Sequence, residues 1–195
     1  MNGNSQLRLH VIVASTRPGR IGPVFAQWFR QIAQQDPRFE VHLVDLADIN
    51  LPVYDEPKHP TLQRYEHEHT EQWSTSVASA DAFVFVTPEY NYFPPPALVN
   101  ALDYVYKEWN YKPAAFVSYG GQSGGIRAIQ ALKLLVTTLK MMPILESVSV
   151  FKCFQYIDGG TFNAEQSHNE SATALLDETY RWARALRNMR LEASS

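Results

Sequence analysis

The sequence predicts a doubly wound α/β domain with a five-stranded, mostly parallel sheet and helices on both faces. Strand-like and helix-like segments alternate five times along the 195 residues. Most strand-like runs are apolar over several consecutive residues, as befits strands covered on both sides. The segments between them carry apolar residues at three- and four-residue steps, the spacing of a one-faced helix.

Residues 7–14, LRLHVIVA, alternate and then become continuously apolar, which reads as a central strand. Ile21, Val24, Phe25, Trp28, Phe29 and Ile32 mark a helix over 21–35, stopped by Asp36-Pro37. FEVHLVD at 39–45 alternates and is a second strand. A loop rich in proline and acid covers 46–60. A polar helix over 61–79 follows, with Leu62, Tyr65, Trp73 and Val77. AFVFVT at 82–87 is a third strand, buried on both faces. Residues 94–107 open on Pro94-Pro95-Pro96, where a helix tolerates proline, and carry Leu98, Leu102 and Val105 along one side. AAFVSY at 114–119 is the fourth strand, 126–141 an amphipathic helix, 144–151 the fifth strand and 165–190 a closing helix.

No internal repeat interrupts this order, and the length suits one core, so residues 1–195 form a single expected domain. Hydrophobic residues make up 45% and charged residues 19%, a globular composition. A net charge of -3 gives no global electrostatic case for binding nucleic acid or membrane. The one cysteine, Cys153, allows no disulfide within the chain. The opening MNGNSQLRLHVIVAS lacks a signal-peptide pattern, and no run approaches the roughly 18 apolar residues of a membrane span. The expectation is a cytoplasmic protein.

In such folds ligands bind beyond the carboxyl ends of the strands, where the strand order reverses. The loops after strands one, three and four are therefore the places to inspect. Loop one, Ser15-Thr16-Arg17-Pro18-Gly19-Arg20-Ile21-Gly22, joins a strand to a helix N-terminus. It reads either as an ordinary helix cap or as an anion site, and two arginines favour phosphate. Neither the Walker A nor the G-x-G-x-x-G pattern is present, and a loop built on hydroxyls suits a mononucleotide such as FMN. Loop three, Pro88-Glu89-Tyr90-Asn91-Tyr92-Phe93, offers aromatic faces on a proline-framed backbone. These fit a flat ring system or packing against a partner. Loop four, Ser118-Tyr119-Gly120-Gly121-Gln122-Ser123-Gly124-Gly125, is a flexible turn or a place of close backbone approach to a ligand.

The remaining candidates read as structural. His67-Glu68-His69 lacks H-E-x-x-H spacing and lies on a solvated helix. Asp103 reads as an ion-pair or capping residue. Cys153 ends the fifth strand, away from the site, as a small buried hydrophobe. Ser118 lacks the G-x-S-x-G context of a nucleophile. Arg181, Arg184, Arg187 and Arg190 form a drifting stripe that reads as a solvated face, with a dimer contact second.

STRPGR after strand one, TPEYNYFPPPALVNALDY after strand three and SYGGQSGGIRA after strand four resemble the NADPH-dependent FMN reductase family of quinone, azo-dye and chromate reductases. The resemblance spans about Leu9 to Val150. It implies a flavodoxin-like sheet of order 2-1-3-4-5. It implies FMN as cofactor, NADPH or NADH as donor, a small-molecule electron acceptor and a homodimer or dimer of dimers. Ser15 and Arg17 match the family's FMN-phosphate residues, with Thr16, Arg20, Ile21 and Gly22 completing the cradle. Pro88, Glu89, Tyr90 and Asn91, with Tyr92 beside them, match the segment along the isoalloxazine. Ser118, Gly120 and Gly121 match the loop at the ring's other edge. The implied reaction is ping-pong hydride transfer through FMN N5, for which no side chain is singled out as catalytic. Phe93 and the triple proline depart from the family's usual single proline and place bulk near the ring. Two readings follow: a reductase that turns over flavins or quinones, and a flavin-binding carrier or sensor with little turnover.

Overall fold

A computed structural model describes residues 6–192; residues 1–5 and 193–195, at the ends of the expected domain, lie outside the described residues, as does the start of the N-terminal segment read above. Five strands, β1 (Leu7–Val13), β2 (Phe39–Asp45), β3 (Ala82–Pro88), β4 (Pro113–Tyr119) and β5 (Met142–Val150), form one sheet. Its order is β2-β1-β3-β4-β5 and every neighbouring pair is parallel. The expected order is therefore the observed one.

The pleat sorts the strands' side chains into two layers. Val11, Val13, Val84, Val86, Ala115 and Val117 face one layer, against α1 (Gly22–Gln34) and α6 (Gln166–Glu192). Ile12, Phe83, Phe85, Ala114 and Phe116 face the other. There α3 (Glu68–Ser79), α4 (Pro96–Asp103) and α5 (Ile126–Thr138) close over an aromatic core with Trp73 and Trp109.

Several boundaries differ from expectation for local reasons. The 46–60 segment contains a short helix, α2 (Leu46–Ile49), because the Asp45 carboxylate accepts the Ala47 N–H at 3.0 Å. The polar helix begins at Glu68, not residue 61. The buried Glu56 carboxylate takes the N–H groups of Glu66 and His67, which holds the approach non-helical. The third proline, Pro96, is the one that opens α4, since a residue before proline is biased to extended backbone. α4 ends at Asp103, and Tyr104, Val105 and Trp109 fill the core from an irregular turn. A small hairpin, β6 (Ile157–Asp158) and β7 (Thr161–Phe162), sets Phe162 against Phe25 and Trp28 of α1.

The arginine stripe on α6 is not simply a solvated face. Arg190 donates to the Asp81 carboxylate and the Tyr111 carbonyl, both at 2.7 Å, and so fastens the end of α6 to the sheet's amino-terminal edge. Among the described residues, no helix is long and apolar enough to cross a membrane.

β1 runs to β2 on one side, and the chain then crosses to β3 on β1's other side. The crevice this reversal opens lies beyond Val13 and Val86, which pair in register. Val13 pairs with Val86 and Pro88 with Tyr119, so Ser15, Pro88 and Tyr119 come level where the three loops begin.

Candidate functional site

Loop one delivers the Ser15 hydroxyl to the crevice and leaves the helix behind it without a side-chain cap. Ile21 is the N-cap of α1 and makes no side-chain cap bond, so neither Ser15 nor Thr16 serves as a helix cap. Pro23 has no N–H and Val24 N–H donates to the Ile21 carbonyl at 3.1 Å, so the backbone donors left for the loop at the positive end of this 13-residue helix are those of Ile21 and Gly22. Ser15 is 1% exposed, and its Oγ accepts the Tyr119 phenol at 3.2 Å. Burial pushes the Tyr119 phenol above its ordinary range, so it stays protonated.

The two arginines differ. Arg20 is paired with Asp45 at 2.7 Å and donates to the Ser15 carbonyl at 2.9 Å, which props the loop from behind. Its hydrogen bond to Asp45 holds the guanidinium above its ordinary value. Arg17 is exposed and donates only to the neighbouring Pro18 carbonyl at 3.2 Å. Thr16 turns toward a separate recess of about 250 Å³ beside Asn50 and Asn100.

Loop three closes on itself as a two-residue hairpin. Tyr90 N–H donates to the Phe93 carbonyl at 2.8 Å, and Phe93 N–H donates back at 3.0 Å. Asn91 and Tyr92 both have left-handed backbone, with φ of 51° and 73°. Asn accepts that region readily, whereas Tyr does so at a cost. The Glu89 carboxylate bolts this loop to the start of α5, accepting from Arg127 through the backbone N–H at 3.1 Å and the guanidinium at 2.9 Å. Burial alone would raise the Glu89 carboxyl, but hydrogen bonds from Arg127 and Ser123 outweigh it and hold it below its ordinary value. The same guanidinium lies 4.3 Å over the Tyr92 ring.

Loop four spends part of its glycine content on itself. A Cβ at Gly125 would stand 2.7 Å from the Ser118 Cβ, and one at Gly124 would stand 3.1 Å from the Phe151 ring. Gly121, by contrast, faces open space. Ser118 points inward, donating to the Gly124 carbonyl at 2.7 Å behind the loop. A 3₁₀ turn over Cys153–Tyr156 is strapped to loop four by Cys153 N–H to Gly120 carbonyl and Lys152 N–H to Gly121 carbonyl bonds.

These pieces enclose a cleft of about 170 Å³. Ser15, Arg17, Arg20 and Ile21 line it from loop one, Pro88, Glu89 and Tyr90 from loop three, and Gly120 and Gly121 from loop four. Three lining residues are not among the expected site residues. Tyr119 falls inside loop four as read but is passed over between Ser118 and Gly120, and its register beside Pro88 puts it at the crevice. Cys153 and Phe154 follow strand five. Cys153 therefore sits in the cleft wall, contrary to the expectation that it lies away from the site. It is buried, and burial pushes its thiol up, which keeps it inert.

Tyr90 also borders a wider, largely apolar cleft of about 730 Å³ with Asn91, Phe93, Pro94 and Asp103. Phe93 faces this second cleft and does not narrow the first. Asp103 is no ion-pair residue among the described residues, and burial pushes its carboxyl up. His67 and His69 each contact Asp55, at 3.3 Å and 3.0 Å. Among the described residues, no three His, Cys, Asp or Glu side chains are grouped to hold a metal ion.

The arrangement is a cleft at a helix N-terminus that opens between an aromatic hairpin and a glycine loop. The family model described as NADPH-dependent FMN reductase matches residues 7–155. An NAD(P)H-dependent FMN reductase of Schizosaccharomyces pombe is 44% identical over 136 residues, covering 69% of this chain and 68% of that protein. One from Saccharomyces cerevisiae is 34% identical over 146 residues, covering 69% of this chain and 76% of its own length. The NAD(P)H:(acceptor) oxidoreductase FerB of Paracoccus denitrificans has the same fold, with a TM-score of 0.73 at 22% identity over 92% of this chain and 98% of that one. With the family match extending over most of the sheet and all three loops, the chain belongs to the NADPH-dependent FMN reductase family.

Proposed function

We propose that this protein holds FMN in the cleft beyond β1, β3 and β4 and uses NADPH or NADH to reduce a quinone, a flavin or a similar small acceptor. Bound FMN would supply the redox chemistry, accepting hydride at N5 and passing electrons on in a ping-pong cycle. The observation that carries the reading is the uncapped start of α1 beside a buried Ser15 hydroxyl and an exposed Arg17.

The residues fit a phosphate group. A Cβ at Gly22 would overlap Ser15 Oγ and come 2.7 Å from the Tyr119 hydroxyl, so glycine alone lets the helix start approach this pair. Ser15, Arg17 and the backbone N–H groups of Ile21 and Gly22 would donate, and Arg20 fixes the loop that presents them. Pro88, Glu89 and Tyr90 with Gly120 and Gly121 flank the space for the ring, and Glu89 sets the distance between the two loops through Arg127. Thr16, Asn91, Tyr92 and Ser118 act from around the cleft, Ser118 by shaping loop four. The Tyr90, Phe93 and Gly120 N–H groups are spent within the chain, so other backbone N–H groups of loops three and four would stabilise negative charge on a bound ring. The protein works as a homodimer or dimer of dimers in the cytoplasm, with the wide apolar cleft beside loop three against a partner copy.

An anaerobic titration of the purified protein with FMN and then NADPH tests this. Flavin absorbance that survives desalting, is bleached within seconds by NADPH and is restored by a quinone is the expected result. Bleaching only over hours makes the protein a flavin carrier or sensor. No flavin retention overturns the reading.

A further inference from the structure

Ser15 and Tyr119 stand 104 residues apart in sequence and meet because β1, β3 and β4 end level with one another. Both are buried, and both line the cleft. The Tyr119 ring is fixed independently of its hydroxyl, stacked on Phe25 with centroids 4.4 Å apart and planes 17° apart. A phenol is a better donor and a poorer acceptor than an alkyl hydroxyl, so in this pair the tyrosine gives its proton to the serine. Ser15 then keeps its own proton, and among the described residues its Oγ has no other hydrogen-bond partner. A buried hydroxyl donor without an acceptor is costly unless something outside the chain accepts it. Gly22 adds a third element. Its missing side chain brings the open end of α1 to the same spot, since a Cβ there would collide with both hydroxyls.

We infer that Tyr119 is a positioning residue of the phosphate site, holding the Ser15 hydroxyl so that its proton points to an anion in loop one. The inference rests on the FMN-phosphate reading of that loop. Tyr119 acts through Ser15 and not through the flavin ring, so its effect falls on the phosphate alone. Riboflavin has the same ring without the phosphate and is the natural control.

Dissociation constants for FMN and riboflavin, measured by flavin fluorescence quenching, test it. In Tyr119→Phe, which keeps the ring on Phe25, FMN affinity falls about threefold to tenfold while riboflavin binding holds. In Ser15→Ala the FMN preference falls by about tenfold or more, because a charge-assisted bond is lost outright. Ser15→Ala with Tyr119→Phe shows the same preference as Ser15→Ala alone, as required if one residue works through the other. Tyr119→Leu, which keeps an apolar side chain against Phe25 without the hydroxyl, shows the same selective loss for FMN and serves if Tyr119→Phe does not fold. A wild-type preference that survives Tyr119→Phe overturns the inference alone, as does an equal loss for FMN and riboflavin. Wild-type protein that binds both flavins equally overturns the loop-one reading together with it.

Discussion

Arg17 and Arg20 are equivalent by sequence, both basic residues in one turn, and they part company only when Asp45 arrives at the end of β2. Nothing local in the sequence signals that pairing across 25 positions. The expected consequence is a split between binding and stability. Arg17→Ala lowers FMN affinity about tenfold with little change in melting temperature, since it removes an exposed charge-assisted donor. Arg20→Ala leaves Asp45 unpaired and lowers stability by about 1–2 kcal/mol. Paired FMN titrations and thermal melts read both, and the reverse pattern would mean that Arg20 is the phosphate ligand. Tyr92 carries a similar tension in its backbone, at φ 73°. Tyr92→Gly creates the Asn-Gly pair that such hairpins prefer and leaves the melting temperature unchanged or higher. Tyr92→Val costs about 1–2 kcal/mol, because a β-branched residue resists the left-handed region. If both variants melt alike, the backbone is not what Tyr92 strains.

At the scale of elements, the sequence pattern located the strands closely, because β1, β3 and β4 are almost continuously buried and β2 alternates polar and apolar residues. The second strand runs over 39–45 as read, and the third over 82–88 against an expected 82–87. The helices were less legible where their limits depend on distant partners. The approach to α3 is held by Glu56, and α4 hands over to core aromatics that do not continue a helical stripe. The site was legible as three loops, but Tyr119 and Cys153 enter it through register and through the strap onto loop four, which a one-dimensional pattern does not carry. β1 also contains an unexpected titrating group. His10 is 5% exposed, and its imidazole is pushed down to about 4, chiefly by burial and then by His42, Lys112 and Arg8. The folded value lies below the unfolded one near 6.5, so the unfolded chain binds the extra proton. This contribution to stability is full above pH 6.5 and is lost as pH falls toward 4, by up to about 3 kcal/mol. Urea unfolding from pH 7 to 4 should show that slope in the wild type and a shallower one in His10→Leu. Parallel curves would place the acid sensitivity elsewhere.

For the whole molecule, the family match ends at residue 155, yet the core does not. Ala172, Leu175, Leu176 and Ala183 of α6 complete the layer that α1 begins, and Arg190 ties the helix end to Asp81. Burying leucines of this kind is worth about 2–5 kcal/mol each, against a whole-domain stability of about 5–15 kcal/mol. A chain truncated after residue 165 should therefore fail to give a cooperative melt, whereas the full chain melts in one transition. A truncated chain that melts cooperatively would show that α6 is dispensable. α1 begins without a side-chain cap, and its positive end faces the cleft beyond the strand ends. An anion that binds only the folded form supplies stability by mass action, about 2.7 kcal/mol at a free concentration of about 100 times its Kd. Flavin supply thus becomes a term in the protein's lifetime. If the cleft holds FMN as proposed, chain expressed under riboflavin starvation should be cleared faster in a pulse-chase than flavin-replete chain, and equal half-lives would show that the ligand adds no stability.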